Sequence, residues 1–189
     1  MTSRLEVPVI ETARLRLRGW DEDLFDAFAA LLADNERLRF VGGAKSRAEA
    51  WRAMAGYIGH WHLRGFGFWA VTEKARGTLL GWCGLWHPEG FPEREIGWGL
   101  AREAEGFGYA TEAAQVARRH AYDVLGWPTA VSFIAPDNLA SRRVAERLGA
   151  RPDGVSELRG EPVDVWRHPA PSALALRVED SFSPSLPSA

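Results

Sequence analysis

The first half of the chain combines a strand-like alternation with helical stripes of apolar residues. Residues 15–18 alternate between leucine and arginine, which predicts a first strand with one buried face. Apolar residues at helical spacing follow Asp21, the predicted N-cap of a first helix. A second helix is predicted to begin at Ser46, because Ser46 and Glu49 fit a capping box, and to end at Gly65.

The second half alternates between strands and helices. Its predicted strands are short apolar runs bounded by turn residues, and its predicted helices carry apolar residues on one face. The strands are predicted at residues 68–71, 78–86, 95–100, 130–134 and 163–166, and the helices at residues 109–125 and 138–148. Because no repeat and no second core are visible, this order predicts a mixed α/β domain around one sheet.

Two glycines, Gly97 and Gly99, interrupt the predicted strand at residues 95–100. Glycine weakens a strand interior, since it has no side chain to pack. Its presence at two alternate positions indicates a bulge, or a place where a ligand lies against the main chain.

Composition narrows the class of protein. The 189 residues are 46% hydrophobic, which is enough for one buried core, and the net charge of −2 argues against nucleic acid or an anionic membrane as partner. Cys83 is the single cysteine, which excludes an internal disulfide and a cysteine-based metal cluster. No apolar run has membrane-spanning length and residues 1–9 do not resemble a signal peptide, so a cytoplasmic location is expected. Residues 1–168 are predicted to form the domain, and residues 169–189, rich in Pro, Ser and Ala, a flexible tail.

The motif Gly106-Phe107-Gly108 comes between a predicted strand and a predicted helix. The first amides of a helix lack internal partners, and the helix dipole favours an anion there, so a phosphate group is the natural ligand. A dinucleotide fingerprint would need Gly or Ala at Thr111, and no Gly-Lys-Ser/Thr triplet of a P-loop occurs. By itself the glycine pair is equally compatible with a simple turn.

A longer motif around these glycines resembles the acetyl-CoA pyrophosphate loop of the GNAT acetyltransferase superfamily, above all its RimJ/RimL-like branch. It is Arg102-x-x-x-Gly106-Phe107-Gly108-Tyr109-Ala110-Thr111-Glu112-Ala113. Residues 11–18, 95–100 and 138–149 resemble, in the right order, the branch's opening strand, central strand and second cofactor helix. The resemblance spans about residues 11–168 and implies a single mixed, mostly antiparallel sheet of six to seven strands flanked by about four helices.

The resemblance also implies a reaction. Acetyl-CoA would be the acyl donor, no metal would be needed, and the acetyl group would pass directly to a primary amine of a protein N-terminus or a small molecule. Relatives are often dimers, so a homodimer is possible. The residues implied in donor binding are Leu100, Gly106, Phe107, Gly108, Tyr109, Ala110, Thr111, Asn138, Ser141 and Arg142.

Two residues are candidates for catalysis. The family often places a carboxylate on the central strand, so Glu95 is the predicted general base, with an exposed strand acid as the alternative. Ser141 is predicted to donate a proton to the departing sulfur, although it and Asn138 could equally serve only the helix N-terminus. Ala145 occupies the position at which many relatives carry a tyrosine acid, so that acid is excluded here.

Departures from the family motif keep a second hypothesis open. Glu103 and Glu105 precede the glycines, and two carboxylates beside a pyrophosphate would repel it unless they point to solvent. Together with the missing tyrosine, these acids leave a non-catalytic acyl-CoA-binding or regulatory module as the rival.

Overall fold

The computed structural model describes residues 6–174, apart from the side chain of Arg37. The strands are β1 (Ile10–Glu11), β2 (Leu15–Arg18), β3 (Phe68–Glu73), β4 (Leu79–Trp86), β5 (Glu95–Leu100), β6 (Val131–Ile134), β7 (Arg151–Leu158) and β8 (Glu161–Arg167). In this part of the chain the α-helices are α1 (Phe25–Leu32), α2 (Asn35–Leu38), α3 (Arg47–Arg64), α4 (Tyr109–Arg119) and α5 (Leu139–Arg147). The eight strands form one sheet in the order β1-β2-β3-β4-β5-β6-β8-β7.

Strand direction in the sheet is antiparallel with one exception. All neighbours run antiparallel except β5 and β6, which are parallel. The predicted mixed, mostly antiparallel sheet is therefore confirmed, while the predicted number of strands was too low.

The sequence did not predict strands β1 and β7, for identifiable reasons. Strand β1 has only two residues, too few for a periodic signal. Strand β7 contains Pro152, Asp153 and Gly154, which are turn residues in sequence, and the pairing with β8 shifts register between Pro152 and Val155. A bulge accommodates such residues within a strand, so the sequence signal of a turn concealed a strand.

Two apolar layers cover opposite faces of the sheet. In β3, Trp69 and Val71 join the core under α4, whereas Phe68 and Ala70 join the core under α1 and α3. This alternation follows from the two-residue repeat of a strand. The predicted boundaries of α3 are confirmed, since the capping box of Ser46 forms and Gly65 ends the helix at φ 74°.

The C-terminal tail predicted at residues 169–189 falls mostly outside the described residues. In the described part, the Tyr122 hydroxyl donates to the Pro169 carbonyl over 3.0 Å, and Leu174 packs against the main core. Flexibility of the remainder stays a prediction. No described helix combines the length and apolar character needed to cross a membrane.

Candidate active site

The parallel strands β5 and β6 meet at a single residue pair, Glu95 and Val131. Beyond that pair, hydrogen bonds from side chains take the place of main-chain hydrogen bonds between the two strands. The Ser132 hydroxyl donates to the Ile96 carbonyl over 2.6 Å, and the Phe133 amide donates to the Glu95 carboxylate over 3.4 Å. The strands therefore separate beyond Glu95, and we call the space between them the strand gap.

A buried hydrogen-bonded chain supports the strand gap from behind. The Ser132 hydroxyl uses its only hydrogen in the bond to the Ile96 carbonyl. The His168 Nε2–H must therefore donate to the Ser132 oxygen, 3.0 Å away. The His168 Nδ1 is then an acceptor and lies 3.4 Å from the Arg118 guanidinium. Burial, and secondarily the charge of Arg118, lowers the pKa of His168 to about 3. The histidine is therefore neutral near pH 7.

Glu95, the predicted general base, lies at the closed end of the strand gap with its side chain half-buried. Burial raises the pKa of its carboxyl to about 7, against smaller lowering effects of the Phe133 amide and Arg159. A carboxylate with a pKa near the working pH is well suited to accept a proton. The alternative of an exposed strand acid does not hold.

An aromatic wall lies close to Glu95. Tyr57 of α3 makes edge-on contacts with Phe68 and Trp86, at centroid distances of 5.1 and 5.4 Å. Burial raises the pKa of Tyr57, and the charges of Arg159 and Glu95 act on it in opposite directions. Tyr57 and Arg159 are thus neighbours of the predicted base that the sequence did not single out, because they lie far from Glu95 along the chain.

His60, at the end of α3, is held as a structural residue. Its Nδ1 lies 2.6 Å from the Phe66 carbonyl, which requires Nδ1 to carry the proton, and its Nε2 accepts from the His87 amide over 3.2 Å. The ring also stacks on Trp86 at 4.2 Å. Both ring nitrogens are therefore engaged, and burial lowers the pKa of His60. Among residues 6–174, no three His, Cys, Asp or Glu side chains cluster in a way that could hold a metal ion.

The glycine loop, residues 106–108, has the geometry of an anion site. Gly106 and Gly108 adopt φ values of 81° and 80°, which are strained for other residues. Helix α4 follows directly, no side chain caps it, and its first internal bond runs from the Glu112 amide to the Gly108 carbonyl over 3.1 Å. The amides of the first turn are therefore left for a ligand.

A groove of about 480 Å³ opens in front of the glycine loop. Four predicted donor-binding residues line it together with four others; its lining is Arg14, Gly106, Phe107, Gly108, Thr111, Glu112, Gln115 and Arg147. The hydroxyl of Thr111 is buried without a hydrogen-bond partner among the described residues. Glycines at positive φ, an orphaned hydroxyl and two arginines fit a ligand that carries phosphates.

Arg14 ties this loop to the first strand and was missed by sequence reasoning. Its guanidinium donates to the Phe107 carbonyl over 2.9 Å and to Glu112 over 2.8 Å, and lies 4.6 Å from the centre of the Tyr109 ring. Burial alone would raise the pKa of Glu112, but hydrogen bonds from Thr12 and Arg14 hold it below its usual range. The acid in the first turn of α4 is thus paired, while Glu103 and Glu105 are exposed.

The predicted donor residues of α5 lie outside the groove. Asn138 caps α5, since its side-chain oxygen accepts from the Ser141 amide over 3.1 Å, and Arg142 forms a 2.5 Å ion pair with Asp164. The Ser141 hydroxyl has no partner among the described residues. Ala145 is fully buried and carries no hydroxyl that could act as an acid.

The three remaining residues predicted to bind the acyl donor lie at the end of β5 and in the first turn of α4. Leu100 is the buried last residue of β5 and pairs with Gly81 of β4. Tyr109 and Ala110 are half-buried in the first turn of α4. A substituent at Gly99 would collide with the Trp82 ring at 2.2 Å, so packing alone explains that glycine.

Comparison with known proteins now adds the family. Residues 14–151 match the family model of the acetyltransferase (GNAT) domain. The uncharacterized protein YkkB of Bacillus subtilis is 29% identical over 163 residues, covering 82% of this chain and 92% of YkkB. An acetyltransferase structure from Agrobacterium tumefaciens is similar with a TM-score of 0.79 and 33% identity, covering 89% of this chain and 98% of the other.

A third comparison shows the fold alone. RimL, an N-terminal acetyltransferase of a ribosomal protein, has a TM-score of 0.72 at 20% identity, with 85% of this chain and 93% of RimL covered. The family match extends over most of the chain and includes β5, the strand gap and the glycine loop. On these grounds the chain belongs to the GNAT acetyltransferase family.

Proposed function

We propose that this protein transfers an acetyl group from acetyl-CoA to a primary amine, directly and within a ternary complex. One observation carries the proposal: Glu95 lies half-buried where β5 and β6 part, and the pKa of its carboxyl is about 7. A strand gap that ends at a base provides a place where an amine can lose its proton next to a bound acyl donor.

The donor would lie between the groove and the strand gap. Amides of the glycine loop and of the first turn of α4, with Arg14 and Arg147, would hold its phosphates. Acetyl-CoA supplies an activated thioester, so no further activation of the acyl group is required. Main-chain groups of β5 near Leu100 would contact the acyl end.

Proton transfer would involve two side chains. An α-amine has a pKa of about 7.7–8.0, close enough to that of Glu95 for transfer near neutral pH. Glu95 would accept this proton directly or through a water. The Ser141 hydroxyl, which has no protein partner among the described residues, would donate to the departing thiolate.

The acceptor is proposed to be a protein N-terminus or a small-molecule amine. RimL, whose fold is similar, is a ribosomal L7/L12 alpha-N-protein acetyltransferase, and a RimJ/RimL-like activity is therefore part of this proposal. We also propose a cytoplasmic location and no metal requirement, and a homodimer is a hypothesis for solution measurements.

Two assays test this function. Acetyl-CoA should raise the melting temperature, and thiol release should follow addition of an amine from a panel of N-terminal peptides and small amines. Stabilisation without turnover of any amine would favour a non-catalytic acyl-CoA-binding module. Stabilisation by NAD or ATP and not by CoA would contradict the proposed donor.

A further inference from the structure

Two cations, Lys45 and Arg159, lie close to each other beside Gly42. A side chain built at Gly42 would lie 3.5 Å from Arg159 Nη1 and 3.6 Å from Lys45 Nζ. The two charges are therefore at most about 7 Å apart, a distance at which like charges repel even in water. We call Lys45 and Arg159 the cation pair.

The main chain holds Lys45 in this place. Gly42 and Gly43 adopt φ values of 96° and 73° and turn the chain back after α2. The Lys45 amide then donates to the Leu32 carbonyl over 2.7 Å, which anchors the residue to the end of α1. Lys45 is half-buried, and its main chain is therefore fixed close to Gly42.

Arg159 occupies a strained turn. Leu158 pairs with Glu161 across the β7–β8 hairpin, which leaves Arg159 and Gly160 as the two turn residues, at φ 56° and 82°. Such a turn favours Asn or Gly at its first position, and Arg159 is the one described non-glycine residue with positive φ. Non-glycine residues in this region of φ are enriched at functional sites, so the outlier motivates a functional hypothesis.

Neither residue of the cation pair forms a salt bridge among the described residues. Lys45 acts electrostatically on Glu49, but that carboxylate is bonded to Ser46 in the capping box. Arg159 is also close enough to act electrostatically on Glu95 and Tyr57. An anion bound by the pair would therefore lie next to the strand gap.

We infer that the cation pair binds a carboxylate of the acceptor, so that the acceptor is a primary amine carrying a carboxylate a few bonds away. This inference rests on the proposed function. Two kinds of acceptor combine an amine with a nearby carboxylate in this way: a small amino carboxylate, or a peptide with an acidic side chain next to its N-terminus. Acceptors without the carboxylate would leave the cation pair unneutralised and bind more weakly.

Matched acceptors test the inference in the wild-type protein. We expect kcat/KM to be at least about 10-fold higher for 4-aminobutyrate than for 4-aminobutyramide, or for alanyl-glutamate amide than for alanyl-glutamine amide. Which pair shows the larger ratio identifies the source. Equal rates within both pairs would overturn the inference while leaving the proposed function intact.

Variants locate the effect. Arg159→Gln and Lys45→Gln should each lower kcat/KM for the carboxylate acceptor about 10-fold through KM, with the neutral acceptor and the KM for acetyl-CoA unchanged. Arg151→Gln, an exposed arginine at the other end of the same hairpin, is the matched control. A uniform loss with all acceptors would instead mean that Arg159 only adjusts Glu95, and would contradict the inference.

Arg159→Gly separates binding from folding. Glycine accepts the positive φ, so this variant should melt at a higher temperature than the wild type and still lose the carboxylate preference. Calorimetric titration of 4-aminobutyrate into the CoA-bound protein provides a readout independent of turnover. If no amine is acetylated, the proposed function fails. If, in addition, the wild type and the Arg159 and Lys45 variants give the same titration heat with 4-aminobutyrate, the inference is overturned as well.

Discussion

The donor side and the acceptor side of the candidate site are built from different materials. The glycine loop presents main-chain amides from one contiguous stretch, and its shape depends on two glycines at positive φ. The acceptor side presents side chains, Tyr57, Glu95 and Arg159, from a helix, a strand and a hairpin. The donor side therefore depends on a main-chain conformation that few residue types adopt, whereas the acceptor side depends on the identity of individual side chains.

The largest expected effect lies at the meeting point of the two sides. Glu95→Gln should lower kcat by about 100-fold or more, because it removes the base, and should leave the KM for acetyl-CoA unchanged. Thiol release at saturating acetyl-CoA measures this. Glu89→Gln, a fully exposed loop acid, is the control. A rate equal to the wild type would remove Glu95 from the base role.

Glu95 also predicts a pH dependence. The wild-type rate should rise with pH through about 7, as the carboxyl loses its proton, and Glu95→Gln should lack this rise. The folded pKa is raised above the usual 4.5, so the contribution to stability is present below that value and is lost as pH rises through about 7. Melting temperatures of both proteins across pH 4–8 should differ in this window.

A substitution on the donor side should affect only the binding of acetyl-CoA. Arg14→Gln removes charge-assisted bonds to Glu112 and to the Phe107 carbonyl, and should raise the KM for acetyl-CoA about 10-fold or more with the acceptor KM unchanged. Arg16→Gln, whose contact with Glu11 is a loose 3.8 Å pair, is the control. Loss of acceptor affinity in Arg14→Gln would break the separation of the two sides.

Two glycine substitutions test whether the main-chain conformation of the glycine loop matters for donor binding. Gly108→Ala places a side chain at φ 80° and should cost about 1–2 kcal/mol of unfolding free energy together with affinity for acetyl-CoA. Gly56→Ala, inside α3 with open space around it, should instead stabilise by about 0.5–1 kcal/mol and leave kinetics unchanged. Equal effects of both would show that the loop conformation is unimportant.

The smallest effect concerns Asn138. Asn138→Ala should cost about 1 kcal/mol of unfolding free energy through loss of the cap on α5, whereas Asn138→Asp should retain the cap. If Asn138 only caps, both variants keep the wild-type KM for acetyl-CoA. A raised KM in both would assign Asn138 to donor binding.

What the sequence predicted follows the same division. Local signals such as the capping box of Ser46 and the strand at Glu95–Leu100 are written in adjacent residues, and both were predicted correctly. The bonds of Arg14 join residues more than 90 positions apart, and the Gly42–Arg159 approach spans a still larger separation. Such contacts depend on strand order, which a single sequence does not contain. Strand β7 was missed because a bulge gave it the composition of a turn.

The neutral His168 behind the strand gap has a consequence for how acid affects the protein. Its pKa lies near 3, below the usual 6.5, so its contribution to stability is present above 6.5 and is lost as pH falls toward 3. Charging this ring would add a proton at Nδ1, which faces the Arg118 guanidinium, and would place two cations side by side in the interior, while Nε2 could still donate to Ser132. Acid strong enough to charge His168, near pH 3, should therefore destabilise the interior behind the strand gap.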